Sequence, residues 1–185
     1  MTSLTILPIT TDDLPFVRAM LYEAAFWRAT GDAPPIAAAL CAPELAIYVD
    51  QWGRSGDAGL LARVAGRPVG AVWVRRFPDH AHGYGYVDEL TPELSIAVAP
   101  ERRGYGIGGC LLSAMLALLR IDGARRVSLS VETDNPARSL YERFGFTAAA
   151  ATAAAATAAA ATAAAATAVA ATDGAITMLR TLTPD

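Results

Sequence analysis

One segment constrains this chain more than any other: Val98-Ala99-Pro100-Glu101-Arg102-Arg103-Gly104-Tyr105-Gly106-Ile107-Gly108-Gly109. An apolar run ends at Pro100, two arginines and closely spaced glycines follow, and residues 107–121 then read as a helix. Ile107, Leu111, Met115 and Leu118 of that helix share one stripe, and Asp122-Gly123 stops it. Glycines let a backbone approach an anion closely, while the amides of a helix start and nearby arginines add positive potential. A strand end, a basic turn, glycines and a helix start therefore read together as an anion cradle suited to the pyrophosphate of a cofactor.

The rest of the chain alternates between strands and helices. Residues 4–9 read as a strand, Thr10-Thr11-Asp12-Asp13 supplies capping oxygens, and a helix is expected from about 14 to 27. Residues 31–35 break it, and two shorter helical pieces are expected at 36–40 and 44–52, separated by Pro43. A hairpin follows, with strands 59–65 and 68–77 joined by Ala65-Gly66-Arg67. After a loop at 78–85, residues 93–99 form a strand with Leu94, Ile96 and Val98 on one face and Glu93, Ser95 and Ala97 on the other. Residues 127–132 are a strand. In the next helix Asn135 is the expected cap, Pro136 takes the first position, Gly145 ends it, and Ala137, Leu140, Tyr141 and Phe144 line its inner stripe.

Residues 147–172 are alanine or threonine apart from Val169, with threonines every five positions from Thr147 to Thr172. Five residues advance a helix by about 140°, so the threonines make no stripe. The tract reads as a low-complexity insertion without a chemical role, and residues 175–182 resume normal patterning as a last strand. With 185 residues in all, one domain spanning 1–185 and interrupted at 147–172 is the expectation.

Composition limits the partners. No lysine occurs, and 15 arginines against 18 acidic side chains give a net charge of −3, which offers no long-range attraction to nucleic acid or to an anionic membrane. Cys41 and Cys110 stand beside apolar residues and are expected to be buried free thiols, Cys110 as a small packing residue on the helix after the glycines. No leader-like segment is read at the N-terminus, and residues 107–121 are too few to span a bilayer, so the expectation is a cytoplasmic protein. No metal set is evident: His80 and His82 lack other ligands and read as surface-loop side chains.

Gly104, Gly106 and Gly109 also satisfy the dinucleotide pattern GxGxxG, with Glu132 near the place of a ribose-binding acid, so the spacing alone leaves a nicotinamide reductase open. Against it, about 50 residues follow Glu132 and half are alanine or threonine, too few to complete a doubly wound sheet. A lysine-bearing phosphate loop is excluded by composition. Arg103-x-x-Gly106-x-Gly108 resembles the acyl-CoA-binding signature of the GNAT superfamily of N-acetyltransferases, and residues 135–146, Asn-Pro-Ala-Arg-Ser-Leu-Tyr-Glu-Arg-Phe-Gly-Phe, are similar to its second motif. The two motifs occur in the family's order, with strand 93–98 before and strand 127–132 between; the resemblance covers residues 4–146 and 175–182.

The resemblance implies an α/β (α+β) fold with a mixed, mostly antiparallel central sheet, flanking helices and splayed central strands. It implies acetyl-CoA as cosubstrate, with pantetheine along the backbone of Ile96 and Val98 and the pyrophosphate on Arg103, Gly104, Gly106, Gly108 and Gly109. Asn135 is a cofactor contact as well as a cap. The implied reaction is direct attack by an amine on the thioester, with Tyr141 as general acid and Glu93 as general base; Glu132 competes for the base. Asp88 and Glu89 are expected to attract a cationic acceptor and Trp27 to border its pocket. The acceptor class is a small amine, an amino-acid derivative or a peptide, and pairing of two copies is a further expectation. A nonenzymatic acyl-CoA-binding module is the second reading.

Overall fold

The structure is a computed structural model that describes residues 3–28, 33–149 and 174–182. Residues 29–32, which overlap the start of the expected helix break at 31–35, and 150–173, most of the alanine-threonine tract, lie outside the described residues. The elements in chain order are β1 (Leu4–Pro8), α1 (Leu14–Ala25), α2 (Ile36–Cys41), α3 (Pro43–Ala46), β2 (Ala58–Val64), β3 (Arg67–Arg75), β4 (Glu93–Val98), α4 (Ile107–Ile121), β5 (Arg126–Glu132), α5 (Ala137–Arg143), β6 (Thr147–Ala148) and β7 (Ala175–Thr181). The strands follow the order β1-β2-β3-β4-β5-β7-β6, a mixed and mostly antiparallel sheet with flanking helices, as expected from the sequence. Internal contacts divide the chain into two compact units, Met1–Arg75 with Ser95–Leu118, and Arg76–Leu94 with Leu119–Asp185.

In the first unit β1 and β2 pair antiparallel, and β2 continues into β3 through a two-residue turn in which Ala65 (φ 51°) and Gly66 (φ 76°) are both left-handed. That backbone matches the twist of a tight hairpin, which is why the strands end one residue from where the sequence places them. The core of this unit is built from Val17, Met20 and Leu21 of α1, Leu61 and Ala62 of β2, Val69 to Val74 of β3, and Leu111, Leu112, Met115 and Leu116 of α4. On α4 the buried stripe departs from expectation: Leu116 is buried and Leu118 only half-buried.

Two short helical pieces are present, as expected, but the break falls at Ala42 and Pro43 belongs to the second. The proline occupies the first turn of α3, where its missing N–H costs nothing, and α3 ends at Ala46 instead of running to Trp52. The reason is tertiary. Arg75, 1% exposed, donates to the carbonyls of Ile47 and Asp50 and pairs with the 2% exposed Asp57 through Nε–Oδ1 (2.8 Å) and Nη2–Oδ2 (2.7 Å). Asp57 in turn accepts the amides of Gly53 and Arg54. Gln51 is left-handed (φ 53°), a conformation that a right-handed helix cannot continue through.

In the second unit β4 begins parallel to β5, with Glu93 opposite Ser128, and β5 pairs antiparallel with β7 from Arg126↔Thr181 to Glu132↔Ala175. β6 adds an edge, Thr147 opposite Leu179 and Ala148 opposite Met178, so the first residues of the alanine-threonine tract take part in the sheet. Val127, Leu129, Val131, Tyr141, Phe146 and Met178 are buried here. Both cysteines are exposed, contrary to expectation; Cys110 falls with Ser113 and Ala117 on the face of α4 opposite the buried leucines. Among the described residues no helix is long and apolar enough to cross a membrane.

Candidate functional site

The cradle lies in the first unit. After β4, Pro100–Arg102 make one 3-10 turn, Arg103 is extended (φ −68°, ψ 153°), and Gly104 (φ 82°) and Gly106 (φ 79°) are left-handed. No heavy atom lies within 4 Å of a Cβ added at either glycine, so both are required by backbone conformation and the space beside them is open. The helical ladder of α4 begins where the Cys110 amide donates to the Gly106 carbonyl (3.1 Å). The amides of Ile107, Gly108 and Gly109 precede that bond and have no carbonyl four residues back in the helix. Glycine at 108 and 109 leaves these two positions of the first turn without side chains.

Arg103 is held from two sides: Nε donates to the Val98 carbonyl (3.1 Å) and Nη2 to Glu23 Oε2 on α1 (2.8 Å). Ile96 and Val98 are half-buried. Trp27, also in this unit, is half-buried with the Arg28 guanidinium 4.8 Å from its ring centroid.

The second unit carries the expected acid and base. Glu93 is 3% exposed, and its Oε1 accepts the Gly85 amide at 2.8 Å. Its neighbour across the strands, Ser128, buries a hydroxyl that has no partner among the described residues. Tyr141 is the one buried side chain of α5 and meets the Phe146 ring at 6.0 Å, tilted by 59°. Burial pushes its phenol well above the ordinary tyrosine value, so it stays protonated throughout the neutral range. Asn135 Oδ1 accepts the Ala137 amide (2.9 Å), which caps α5 as its sequence position suggests.

Asp88 and Glu89 are engaged within their own loop. Asp88 accepts from the Thr91 hydroxyl (2.8 Å) and the Leu90 amide (3.0 Å) and pairs with Arg126 at 2.5 Å. Burial raises its carboxyl, but the Thr91 hydroxyl, Arg126 and the Leu90 and Thr91 amides outweigh this and hold it below the usual carboxylate value. Glu89 accepts the Asp79 amide at 3.1 Å. His80 is exposed, whereas His82 stacks on Tyr86 with centroids 4.2 Å apart. Burial, then the charges of Asp79, Glu89 and Asp88, push the Tyr86 phenol up.

Three residues that sequence reasoning passed over shape these parts. Glu23 stands 80 positions from Arg103, and nothing local in the sequence joins them. Gly85 sits against β5 so closely that an added Cβ would lie 2.6 Å from the Leu129 carbonyl carbon and 2.7 Å from the Ser130 nitrogen. Its place between two tyrosines was the available signal, since a glycine can mark a site where another backbone approaches closely. Ser128 alternates with apolar neighbours in β5 and looks like an ordinary strand residue.

The sequence profile of the Acetyltransferase (GNAT) family matches residues 22–146, more than half of the chain. The chain belongs to this family. Membership decides between the two readings of the glycines, because GNAT acetyltransferases use acetyl-CoA and are not nicotinamide enzymes. The GNAT chain is 33% identical over 143 residues to a mycothiol acetyltransferase of Pseudarthrobacter chlorophenolicus, covering 72% of this chain and 41% of the relative. The chain spans about a quarter to two-fifths of the length of the curated relatives it matches. In fold, this GNAT member is similar to an N-acetyltransferase of Staphylococcus aureus Mu50 (TM-score 0.66, 18% identity, 98% of this chain and 100% of that one). It is likewise similar to yncA of Salmonella typhimurium, solved with its cofactor acetyl-CoA (TM-score 0.63, 19% identity, 100% and 96%).

Proposed function

We propose that the chain is an acetyl-CoA-dependent N-acetyltransferase that moves the acetyl group directly to a primary amine of a small molecule, amino-acid derivative or peptide. The observation that carries the reading is the cradle. Left-handed Gly104 and Gly106, the open space beside them and the two glycines in the first turn of α4 fit a pyrophosphate. Arg103, Gly104, Gly106, Gly108 and Gly109 hold that group, the β4 backbone at Ile96 and Val98 holds the pantetheine arm, and Asn135 adds a contact from α5.

The bound thioester supplies an activated acyl group, and the residues of this chain manage the protons. An acceptor ammonium with a pKa near ~10 must lose a proton before it attacks. Glu93 takes that proton, its carboxylate fixed by the Gly85 amide. Tyr141 gives a proton to the departing sulfur. The phenol is protonated at neutral pH, so its proton is available to the departing thiolate. For Asp88, Glu89 and Trp27 the role in this reading is recognition of the acceptor.

The test is a thiol-release screen with acetyl-CoA against amines, amino acids, aminoglycosides and peptides. The name carried by the curated relatives puts the mycothiol acetyltransferase acceptor on the same panel. Saturable release with at least one amine, and stoichiometric acetylated product, is the expected result. Saturable coenzyme binding without release across the panel would replace the enzyme with an acyl-CoA-binding module.

A further inference from the structure

The signature arginine of the cradle is not a loose side chain. Arg103 leaves an extended backbone position directly before left-handed Gly104, yet its guanidinium is tied to the Val98 carbonyl at Nε and to Glu23 at Nη2. Glu23 belongs to the last turns of α1, so an element with no glycine of the cradle reaches across 80 residues of sequence to its one signature cation. The side chains of Arg103 and Glu23 are 43% and 29% exposed, which makes the pair accessible to a ligand and partly screened.

We infer that Glu23 is a positioning residue for the coenzyme: it fixes the Arg103 guanidinium so that the donors it leaves over meet the pyrophosphate. Arginine has five N–H donors in a rigid fork, and the contacts with Val98 and Glu23 use two of them. A free arginine samples many rotamers, and binding an anion with it forfeits that freedom. A guanidinium held at both Nε and Nη2 has lost it already. The carboxylate also repels a phosphate. At an exposed position that repulsion is screened, whereas the hydrogen bonds act at contact, so positioning prevails.

The inference rests on the acetyl-CoA reading and is tested apart from it by calorimetry with coenzyme A and with pantetheine, which shares the thiol arm and lacks the pyrophosphate. Glu23→Ala should weaken coenzyme A by about 2- to 5-fold, the size of one exposed ion pair, and leave pantetheine unchanged. Glu23→Gln, which keeps an accepting oxygen, should fall between wild type and Glu23→Ala. In an Arg103→Ala background the Glu23→Ala loss should vanish. Tighter coenzyme A binding in Glu23→Ala would show that the carboxylate competes with the ligand and overturn the inference. No change, an equal loss for both ligands, or a loss that persists without Arg103 would overturn it too. A wild-type protein that binds neither ligand refutes the acetyl-CoA reading itself, a result distinct from all of these.

Discussion

Gly85→Ala tests the setting of Glu93 more directly than replacing Glu93 does. The new Cβ would stand 2.6 Å from the Leu129 carbonyl carbon, 2.7 Å from the Ser130 nitrogen and 3.0 Å from Glu93 Oε1. Two of those atoms are backbone of β5, and β5 is pinned on its other edge by the pairs Leu129↔Met178 and Ser130↔Thr177. The strand cannot yield, so the loop carrying residue 85 must move out, and the 2.8 Å bond from its amide to Glu93 goes with it. Overpacking of this kind costs about 1–3 kcal/mol, and losing a hydrogen bond to a buried carboxylate costs about 1.5–3 kcal/mol more.

A total near ~4 kcal/mol with a urea slope of about 2 kcal/mol/M moves the unfolding midpoint down by roughly 2 M. Equilibrium urea unfolding reads this directly. Gly66→Ala is the matched control: φ there is 76° with no atom within 4 Å, so only the left-handed penalty of about 1–2 kcal/mol applies. A Gly85→Ala midpoint within about 0.3 M of wild type at equal slope would refute the steric reasoning. Gly85 is not left-handed, so its loss must come from the clash, and a midpoint no lower than that of the Gly66 control would show that the clash costs no more than backbone strain does.

Three further outcomes are expected. Asp57→Ala strands the buried Arg75 guanidinium and should cost about 3–5 kcal/mol by thermal or urea unfolding, while Asp57→Leu combined with Arg75→Met should recover much of it; a loss under about 1 kcal/mol in the single variant contradicts a buried ion pair. Asp88 has its folded pKa lowered, so its stabilisation is complete above the unfolded value of 3.8 and is lost as pH falls through the folded value below it. Asp88→Asn should therefore flatten the acid limb of a stability-versus-pH curve below about pH 4, and an unchanged limb would remove the assignment. Tyr141→Phe should lower kcat by about 100-fold while sparing coenzyme affinity, the signature of a lost general acid; a kcat within about threefold of wild type would leave Tyr141 a packing residue.

The sequence exposed those parts of the fold whose causes are local. The bounds of α4 agree at both ends because glycines open it and Asp122-Gly123 closes it, each within one turn of the boundary. Its buried stripe drifts from Leu118 because the sheet side of a straight helix is set by the neighbours it meets, not by counting alone. The region after Pro43 misled for a related reason. Glu44 to Trp52 has helical spacing, but the guanidinium of Arg75, more than 20 positions on, takes the carbonyls of Ile47 and Asp50. The exposed cysteines make the same point, since an apolar neighbourhood in sequence includes both faces of a helix.

The candidate site divides along the same line. An anion cradle is made by consecutive residues, because bare amides, left-handed glycines and a helix start are properties of one short segment; Arg103 to Gly109 could therefore be proposed from the sequence, and in the structure Gly104 and Gly106 are left-handed just before α4. Proton transfer requires groups whose charge is set by surroundings drawn from distant positions. Glu93 takes its hydrogen bond from Gly85 in a loop, and Tyr141 draws its raised pKa from burial among strands that a sequence does not display. Asp88 shows the converse: an acidic loop residue suggests attraction for a cation, yet Arg126, 38 positions away, already answers its charge. Formal charge in a loop is available to a ligand only after the fold has taken its share, and that share is set by residues far away in the sequence.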